Sequence, residues 1–348
     1  MEQMEEHIKD TALDMGYEAC GIVRVSAISG FEQKLNERIE RIPEANPFYQ
    51  NFHRFAHPEA THPWAKSIIV CVRNHGKYKV PNNLEGLIGK SYLFDYRTDV
   101  LSKDYLNSLR FEAYLKDKGL DVATERRFGI TALRWAASEA GLGLIRKNNF
   151  FYTKSGSWVS LEAWLIDREL ESIEKPTIKP CPEGCTLCMK NCPTSSLSQP
   201  YTMNPSSCVS FLTTFGGSDS TKDMFGTKIG NWIYGCDVCQ DVCPFNKNVR
   251  GAAEEFPGLT ELSQHISLEK LVSADYSFLE KTVQPKFWYI RQNDLWKWKV
   301  NAINAMVNSY ENKYRESIFD AQNDSQPNVR EMAQWAIRRL GLQSVRIG

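Results

Sequence analysis

Two cysteine-rich segments decide the fold of this 348-residue chain: CPEGCTLCMKNCP at residues 181–193 and GCDVCQDVCPFN at residues 235–246. Each segment ends with a three-residue gap followed by Cys-Pro, and Cys208 lies between the two segments. Eight of the ten cysteines therefore fall between Cys181 and Cys243. In a reducing compartment, clustering of this kind indicates metal binding rather than disulfides.

The spacing favours iron–sulfur clusters over zinc, because each block of the pattern supplies four thiolates and ends in Cys-Pro. This arrangement is typical of bacterial ferredoxin modules, in which the fourth cysteine ligates the opposite cluster. The pattern predicts two [4Fe–4S] clusters, and a pair of zinc sites is the alternative. One cluster is expected on Cys181, Cys185, Cys188 and Cys243, and the other on Cys208, Cys236, Cys239 and Cys192.

The cysteine pattern departs from ferredoxin spacing in two places. Three residues separate Cys181 from Cys185, where two are usual, and Gly184 is expected to absorb the extra residue. A gap of 27 residues separates Cys208 from Cys236. We therefore expect a ferredoxin-like module with a large insertion.

The composition is that of an ordinary globular protein, with 42% hydrophobic and 24% charged residues. Lys and Arg together number 42, as do Asp and Glu, which argues against a dedicated nucleic-acid binder with a basic excess. The acidic N-terminus lacks an export pattern, and no apolar run is long enough to span a membrane. We expect a cytoplasmic, monomeric protein with no membrane contact.

Outside the cysteines the sequence predicts an α+β protein in three parts: residues 1–175, an α/β domain; residues 176–250, the cluster module; and residues 251–348, a helical cap in which PNVREMAQWAIRRL resembles one HEAT-type helix. Apolar, β-branched segments predict strands at 18–25, 67–72 and 157–166. Helical periodicity predicts helices over the N-terminal segment and at 30–42, 101–118, 131–140, 294–310 and 327–340. Cys20 and Cys71 lie in the apolar strands and are expected to be buried structural thiols.

A second motif, AGLGLIRKN at residues 140–148, follows the helix predicted at 131–140. Glycines allow close approach of a ligand to the backbone, and basic residues follow them. Taken alone, the motif is equally explained as a helix cap followed by a basic residue.

Together with the cysteine blocks, these residues resemble the epoxyqueuosine reductase (QueG) family and, more distantly, the cobalamin-dependent reductive dehalogenases. The resemblance covers nearly the whole chain. It is carried by GYEACGI (16–22), AKSIIVCV (65–72), FDYR (94–97), AGLGLIRKN (140–148), CVSFLTT (208–214), GCDVCQDVCPFN (235–246) and the C-terminal segment beginning FWYIRQNDLWKWKV.

The resemblance implies a cobalamin, bound base-off in the α/β domain close to one cluster. The corrinoid would remove the epoxide oxygen of a modified nucleoside in tRNA, after reduction by a low-potential donor of ferredoxin or flavodoxin type. Expected cofactor-binding residues are Ala140, Gly141, Leu142, Gly143, Lys147, Asn148, Gly156 and Ser157.

Three positions near the implied active site depart from the family pattern. The family's aspartate, about thirteen residues before AGLG, corresponds to Arg127, with Asp121 and Glu125 nearby. The histidine of the family's Asp-Tyr-His is Arg97, and a glycine of the family's AGLGWIGKN is Arg146. Arginine is a poor proton donor but a good anchor for anions. We hypothesise catalytic roles for Tyr96, Arg97 and Arg127.

Three functional interpretations remain open from the sequence. The first is a cobalamin-dependent reductase that acts on epoxyqueuosine in tRNA or on another electrophile with an anionic group. The second is an iron–sulfur electron carrier, or a protein that reduces a corrinoid partner, without substrate chemistry of its own. The third is a structural or regulatory iron–sulfur protein that has lost corrinoid binding. Residues 280–348 carry a basic excess of only four, which fits either tRNA contact or an ordinary helical surface.

Overall fold

The computed structural model of the chain describes residues 2–175, 178–216, 226, 228–247 and 253–343. Its main sheet has the strand order β1-β2-β6-β3, and every pairing is antiparallel. A two-stranded ribbon, β4 with β5, lies apart from it. The strands are β1 (Ala19–Arg24), β2 (Ser67–Asn74), β3 (Val122–Ala123), β4 (Leu144–Ile145), β5 (Phe151–Tyr152) and β6 (Val159–Ile166).

The mixed α+β class is confirmed, and a helix lies within each segment for which the periodicity predicts one. The helices of six or more residues are α1 (Glu2–Asp14), α2 (Gly30–Arg41), α3 (Lys103–Asp117), α4 (Leu133–Glu139), α5 (Leu268–Ser273), α6 (Trp296–Asn308), α7 (Tyr314–Asp320) and α8 (Pro327–Leu340). Shorter α-helical turns are Asn46–Tyr49, Lys90–Leu93, Leu187–Lys190, Val209–Leu212, Val238–Asp241, Leu259–Ser263 and Tyr276–Phe278, and Leu279–Val283 forms a π-helical turn.

Local side-chain chemistry explains where individual elements begin and end. Helix α3 begins two residues later than predicted because the Ser102 hydroxyl accepts a hydrogen bond from the backbone N–H of Tyr105 at 3.1 Å, as an N-cap does. Strand β6 likewise begins two residues late. The backbone N–H of Ser157 donates to Asn246 Oδ1 at 2.8 Å instead of joining the sheet. Helix α8 begins with Pro327, and Gly341, which has a φ of 62°, caps its C-terminal end.

The sheet separates two hydrophobic layers, because successive side chains of a strand point to opposite faces. On one face, Val70 and Val72 pack with Ala136 of α4. On the other face, Ile69 and Cys71 pack against α1 and α3. Cys20 stands opposite Cys71 in the β1–β2 register, and both are buried, as predicted for structural thiols. Packed side chains therefore cover both faces of the sheet, and a site can lie only at the ends of the sheet or beyond α4.

The helical C-terminal region has the largest core, and this core includes residues from both other parts of the chain. Tyr234, which follows the insertion, stacks on Trp298 with ring centroids 5.0 Å apart. Leu93 and Phe94 from the first part belong to the same core. The division into three parts and the HEAT-like character of the cap both stay predictions, but the packing shows that the parts interlock. No helix in the described part of the chain is long and apolar enough to cross a membrane.

Gly141 and Gly86 offer a matched test of how tightly the AGLG segment is packed. Both have a φ of 72°, but a Cβ on Gly141 would lie 1.6 Å from the carbonyl oxygen of Glu174, whereas a Cβ on Gly86 would meet nothing within 4 Å. We expect Gly86→Ala to lower the free energy of unfolding by about 1–2 kcal/mol, the cost of a left-handed non-glycine residue. Gly141→Ala should cost at least about 2 kcal/mol more, because it overpacks a backbone contact.

Urea unfolding followed by circular dichroism measures the difference between these two variants. Equal losses of stability would show that the segment around Glu174 moves aside and that the close contact is not a constraint.

Candidate active site and metal centres

The eight cysteines of residues 181–243 line two cavities, and the structure groups them as the crosswise assignment does. A cavity of about 110 Å³ is lined by Cys181, Cys185, Cys188 and Cys243, and we call it the outer cavity. A cavity of about 160 Å³ is lined by Cys192, Cys208, Cys236 and Cys239, and we call it the inner cavity. The fourth cysteine of each block thus crosses to the other block's cavity. The ligand role of each cysteine stays a prediction, but the grouping needed for it is present.

Within the described ranges, no three His, Cys, Asp or Glu side chains are close enough together to hold one metal ion. A zinc site would require four sulfurs within about 2.3 Å of one point.

Burial shapes the chemistry of these thiols. Burial raises the pKa of Cys208 and Cys239 above the usual value for a thiol. Thiolate in so desolvated a place requires a cation to stabilise it, so iron binding and deprotonation are coupled.

The segment that follows AGLG lies between the two cysteine loops and holds the first of them. Lys147 Nζ points into the first cysteine loop and donates to three carbonyl oxygens, those of Pro182 at 3.2 Å, Glu183 at 3.0 Å and Cys185 at 2.9 Å. These carbonyls belong to the stretch that is one residue longer than in a ferredoxin. The Lys147 ammonium thus holds the longer turn of the first cysteine loop in place. Gly184 lies in open space, where a Cβ would meet nothing within 4 Å.

Asn148 holds the second cysteine loop. Its Nδ2 donates to the carbonyl oxygen of Cys239 at 3.0 Å and to the Tyr152 hydroxyl at 2.9 Å. Asn148 is also the one residue, among those described, that lines both cysteine cavities. Lys147 and Asn148, predicted as cofactor-binding residues, therefore contact the cluster loops, and their role towards a cobalamin stays a prediction.

The glycines of the motif approach the chain itself rather than an open site. A Cβ on Gly143 would lie 2.1 Å from the carbonyl oxygen of Tyr152, and a Cβ on Gly141 would lie 1.6 Å from that of Glu174. Ala140 and Leu142 lie in the core beneath the sheet. The role of these four residues towards a cobalamin stays a prediction.

Gly156 and Ser157 lie on the turn that leads into β6. Gly156 has a φ of 84° and pairs with Thr153 in a tight turn. The Ser157 hydroxyl donates to Gln240 Oε1 at 2.8 Å, beside the second cysteine loop. Of the eight predicted cofactor-binding residues, Ser157 is the one that lines the large cavity described next.

A third cavity, of about 390 Å³, lies between the α/β region and the C-terminal region, and we call it the large cavity. Its lining is mainly aromatic and aliphatic, as in cofactor and ligand sites generally. The aromatic members are Phe31, Phe52, Phe55, Phe94, Phe128, Trp135, Phe150, Phe151, Tyr96 and Tyr289. Among the lining residues the charged side chains are Arg38, Arg97, Arg134 and Asp95.

The large cavity adjoins the inner cavity. Arg134, Asn149 and Phe150 line both. Burial and the neighbouring Arg38 lower the pKa of Arg134 to about 10, so its guanidinium still carries a positive charge at neutral pH. The outer cavity shares no lining residue with the large cavity among the described residues. The three cavities therefore form a series: outer, inner, large.

The structure brings Tyr96 and Arg97 to the large cavity but turns Arg127 outward. Burial raises the pKa of Tyr96 well above its usual value, and the Glu162 carboxylate adds to the shift, so the phenol keeps its proton. The side chain of Arg127 is exposed and is not among the lining residues described, although Arg97 Nη1 donates to its carbonyl oxygen at 2.7 Å. The catalytic roles stay predictions.

Arg97 takes the place of the family's histidine and joins the two sides of the cavity. It pairs with Asp95 through Nε at 2.9 Å and Nη2 at 2.8 Å, and its Nη2 also donates to the Tyr289 hydroxyl at 2.8 Å. Burial alone would raise the pKa of Asp95, but the Arg97 guanidinium lowers it below its usual value. Asp95 is therefore an ionised carboxylate and cannot donate a proton.

Sequence reasoning missed most residues of the large cavity, including the polar side chains of Asn149, Arg134, His75 and Tyr289. Asn149 has a φ of 65°, a conformation in which asparagine is enriched, and its repeat after Asn148 was a usable signal. Arg134 lies within the predicted helix before AGLG, one turn and a half from the motif. His75 and Tyr289 carry no local signal, since Tyr289 is brought to the site from about 190 residues away in sequence. Burial lowers the pKa of His75 to about 3, which keeps the imidazole neutral.

Single and paired cysteine variants test the crosswise assignment. We expect Cys181→Ala, Cys192→Ala or Cys208→Ala alone to reduce the iron content by about half, since each removes one ligand of one cluster. The Cys192→Ala, Cys208→Ala pair should lose no more than half, because both belong to one cluster. The Cys181→Ala, Cys192→Ala pair should lose nearly all iron.

Iron and acid-labile sulfide analysis of anaerobically prepared protein measures these contents. If the two pairs behave in the reverse order, each block holds its own cluster and the crosswise assignment is wrong.

Comparisons with known proteins agree with this site. Residues 181–246 match the family of 4Fe-4S double cluster binding domains, so the chain carries two iron–sulfur clusters. The epoxyqueuosine reductase of Staphylococcus aureus is 28% identical over 97% of this chain and 89% of its own length. That of Bacillus subtilis is 32% identical over 69% of this chain and 63% of its own length.

A solved structure extends the likeness to the fold. A crystal structure of epoxyqueuosine reductase with an epoxyqueuosine-modified tRNA-Tyr stem loop superposes with a TM-score of 0.78 at 25% identity, over 97% of this chain and 90% of that chain. The likeness thus covers the sheet, both cysteine blocks and the C-terminal helices together. By sequence and by fold, the chain belongs to the epoxyqueuosine reductase family.

Proposed function

We propose that this chain is a cobalamin-dependent oxidoreductase that passes electrons through its two clusters and reduces epoxyqueuosine in tRNA, or a closely related electrophile. The observation that carries the proposal is the series of cavities. The inner cysteine cavity shares Arg134, Asn149 and Phe150 with the large cavity. A cluster there would lie next to whatever the large cavity binds, which is what single-electron transfer requires.

The relatives support the substrate class. The similar proteins are epoxyqueuosine reductases, and one of the similar structures holds an epoxyqueuosine-modified tRNA stem loop. For this chain we propose tRNA contact through the helical region, residues 251–348. A carrier without substrate chemistry would have no need of a large, mainly apolar cavity beside its cluster, so the cavity favours an enzyme.

The large cavity fits a cobalamin in two respects. Its aromatic and aliphatic lining suits the edges of a flat macrocycle. Two lining residues also carry buried polar atoms without a partner among the described residues: both side-chain atoms of Asn149, and Nε2 of His75. Unpaired buried polar groups are the pattern expected where a bound group completes the hydrogen bonding. Asn149 and Ser157 would hold the cofactor, which supplies low-valent cobalt as the reductant for carbon–oxygen cleavage.

The residues around the large cavity have separate roles in proton donation and in the binding of charged groups. Removing an epoxide oxygen as water consumes two electrons and two protons. Tyr96 keeps its proton at neutral pH and is the proposed donor to the leaving oxygen. Asp95 is held as a carboxylate by Arg97 and orients Arg97 towards Tyr289. Arg127, which stands where the family's aspartate is expected, faces solvent and is proposed to contact an anionic group of the substrate.

Electrons would enter at the other end of the series. The outer cavity is bordered by Phe245 and Leu187, which are partly exposed, so a low-potential donor of ferredoxin or flavodoxin type can come close to it. The order is then donor, outer cluster, inner cluster and cofactor.

Cobalamin binding and Tyr96→Phe test the proposal. Reconstituted protein should bind cobalamin stoichiometrically with the spectrum of the base-off form, and should convert an epoxyqueuosine-containing tRNA stem loop to the queuosine form. Tyr96→Phe should retain cobalamin but lower kcat about 100-fold or more, because it removes the proton donor.

Tyr78→Phe is the matched control, since Tyr78 is a part-buried phenol bonded to Asp104 and does not line the large cavity. A wild-type protein that binds no corrinoid would overturn the proposed function. A Tyr96→Phe variant with the kcat of the control would overturn only the proton-donor role.

A further inference from the structure

Arg146 is a buried arginine whose guanidinium lies against the outer cavity. Only 2% of the residue is exposed, and it lines the cavity with Cys181 and Cys243. Its Nη1 lies 3.8 Å from the sulfur of Cys181, within hydrogen-bonding range for sulfur. In the family pattern this position is a glycine, so the charge is a property of this chain.

Two further contacts fix the orientation of the Arg146 guanidinium. Its Nη2 donates to the carbonyl oxygen of Lys179 at 2.7 Å. The ring of Phe245 lies under it, with the guanidinium carbon 3.4 Å from the ring centroid. Phe245 follows Cys243 and Pro244, so Arg146 touches both chain segments that supply cysteines to the outer cavity. A planar guanidinium is suited to this combination of stacking and directed N–H groups.

The charge of Arg146 lacks a carboxylate partner. None of the ion pairs formed among the described residues includes it, and its Nε has no hydrogen-bond partner there. A buried, unpaired cation is strongly unfavourable unless a nearby negative charge compensates it. The thiolate sulfurs of the outer cavity are the nearest groups able to supply that charge. A [4Fe–4S] core with four thiolates is an anion in both redox states, and reduction adds one more negative charge.

We propose that Arg146 raises the reduction potential of the outer cluster above that of the inner cluster, so that the first electron taken up resides on the outer cluster. The inference rests on the proposed ligand assignment of Cys181, Cys185, Cys188 and Cys243. Hydrogen bonds to sulfur and the net charge around a cluster both set its potential. The guanidinium stabilises the more negative, reduced state more than the oxidised state, and low local dielectric strengthens the effect.

This arrangement has a consequence for electron supply. An outer cluster of raised potential accepts electrons from a weaker reductant than the family's glycine would allow. It holds one electron at a time, so the first electron must pass to the inner cluster before the outer cluster can accept a second. Arg146 is in this sense a positioning residue that acts on the cluster and not on the substrate.

Redox titration of the full-length protein, followed by electron paramagnetic resonance, tests the proposal. In the wild type, two reduction steps should be separated by at least a tenfold difference in the reduction equilibrium, which is 59 mV for one electron. Arg146→Gln should lower the higher potential by a similar tenfold shift and leave the other unchanged. Arg146→Lys, which keeps the charge, should retain most of the wild-type value.

Arg126→Gln is the matched control, because Arg126 is a part-buried arginine paired with Glu112 and Ser108 and away from the cysteines. Iron and sulfide content is measured on every variant. Coincident potentials in the wild type, or unshifted potentials in an iron-replete Arg146→Gln protein, would overturn the role of Arg146 while leaving the clusters and the proposed function intact. Failure of the wild type to hold two clusters would instead overturn the ligand assignment.

Discussion

The structure depends on one constraint: two cysteine loops, separated by about forty residues, must face each other so that each can supply its last thiolate to the other's cavity. Among the described residues, the first loop contributes to none of the hydrophobic cores. The segment Arg146–Asn148 lies between the two loops instead. Lys147 donates to carbonyl oxygens of the first loop, and Asn148 donates to the carbonyl oxygen of Cys239 in the second. These hydrogen bonds to backbone carbonyls help to fix the spacing of the two loops.

The position of that segment depends in turn on close backbone packing. Gly141 and Gly143 bring the chain against the carbonyls of Glu174 and Tyr152, at distances that leave no room for a side chain. The segment emerges from α4, which is buried against the main sheet. The packing of α4 on the main sheet therefore fixes the position of the segment that contacts the cysteine loops. The two glycines are therefore required for this close backbone packing, and their role towards a cofactor stays a prediction.

The C-terminal region contributes Tyr289 to the lining of the large cavity, and this contact shapes the chemistry of the cavity. Tyr289 reaches the cavity through its bond to Arg97, and the Tyr234–Trp298 stack anchors the region beside the inner cluster. Where the family has groups that can exchange protons, this chain has arginines in ion pairs or facing solvent. Proton delivery therefore falls to a buried phenol, and the permanent cations are left to recognise anions and, at Arg146, to balance the charge of a cluster.

The sequence alone determined the class of protein. The Cys-Pro blocks indicated two clusters and their crosswise ligands, since thiolate number and local spacing are properties of a short segment. Helices α6 and α8 and strands β1, β2 and β6 could also be predicted, because each depends on the spacing of apolar residues within one short segment. Only the tertiary structure decided the rest. Arg134, Asn149 and Tyr289 meet at one cavity, and Lys147 donates to carbonyl oxygens of the first cysteine loop. Such contacts depend on how elements pack across the fold, and that information is not contained in any single stretch of residues.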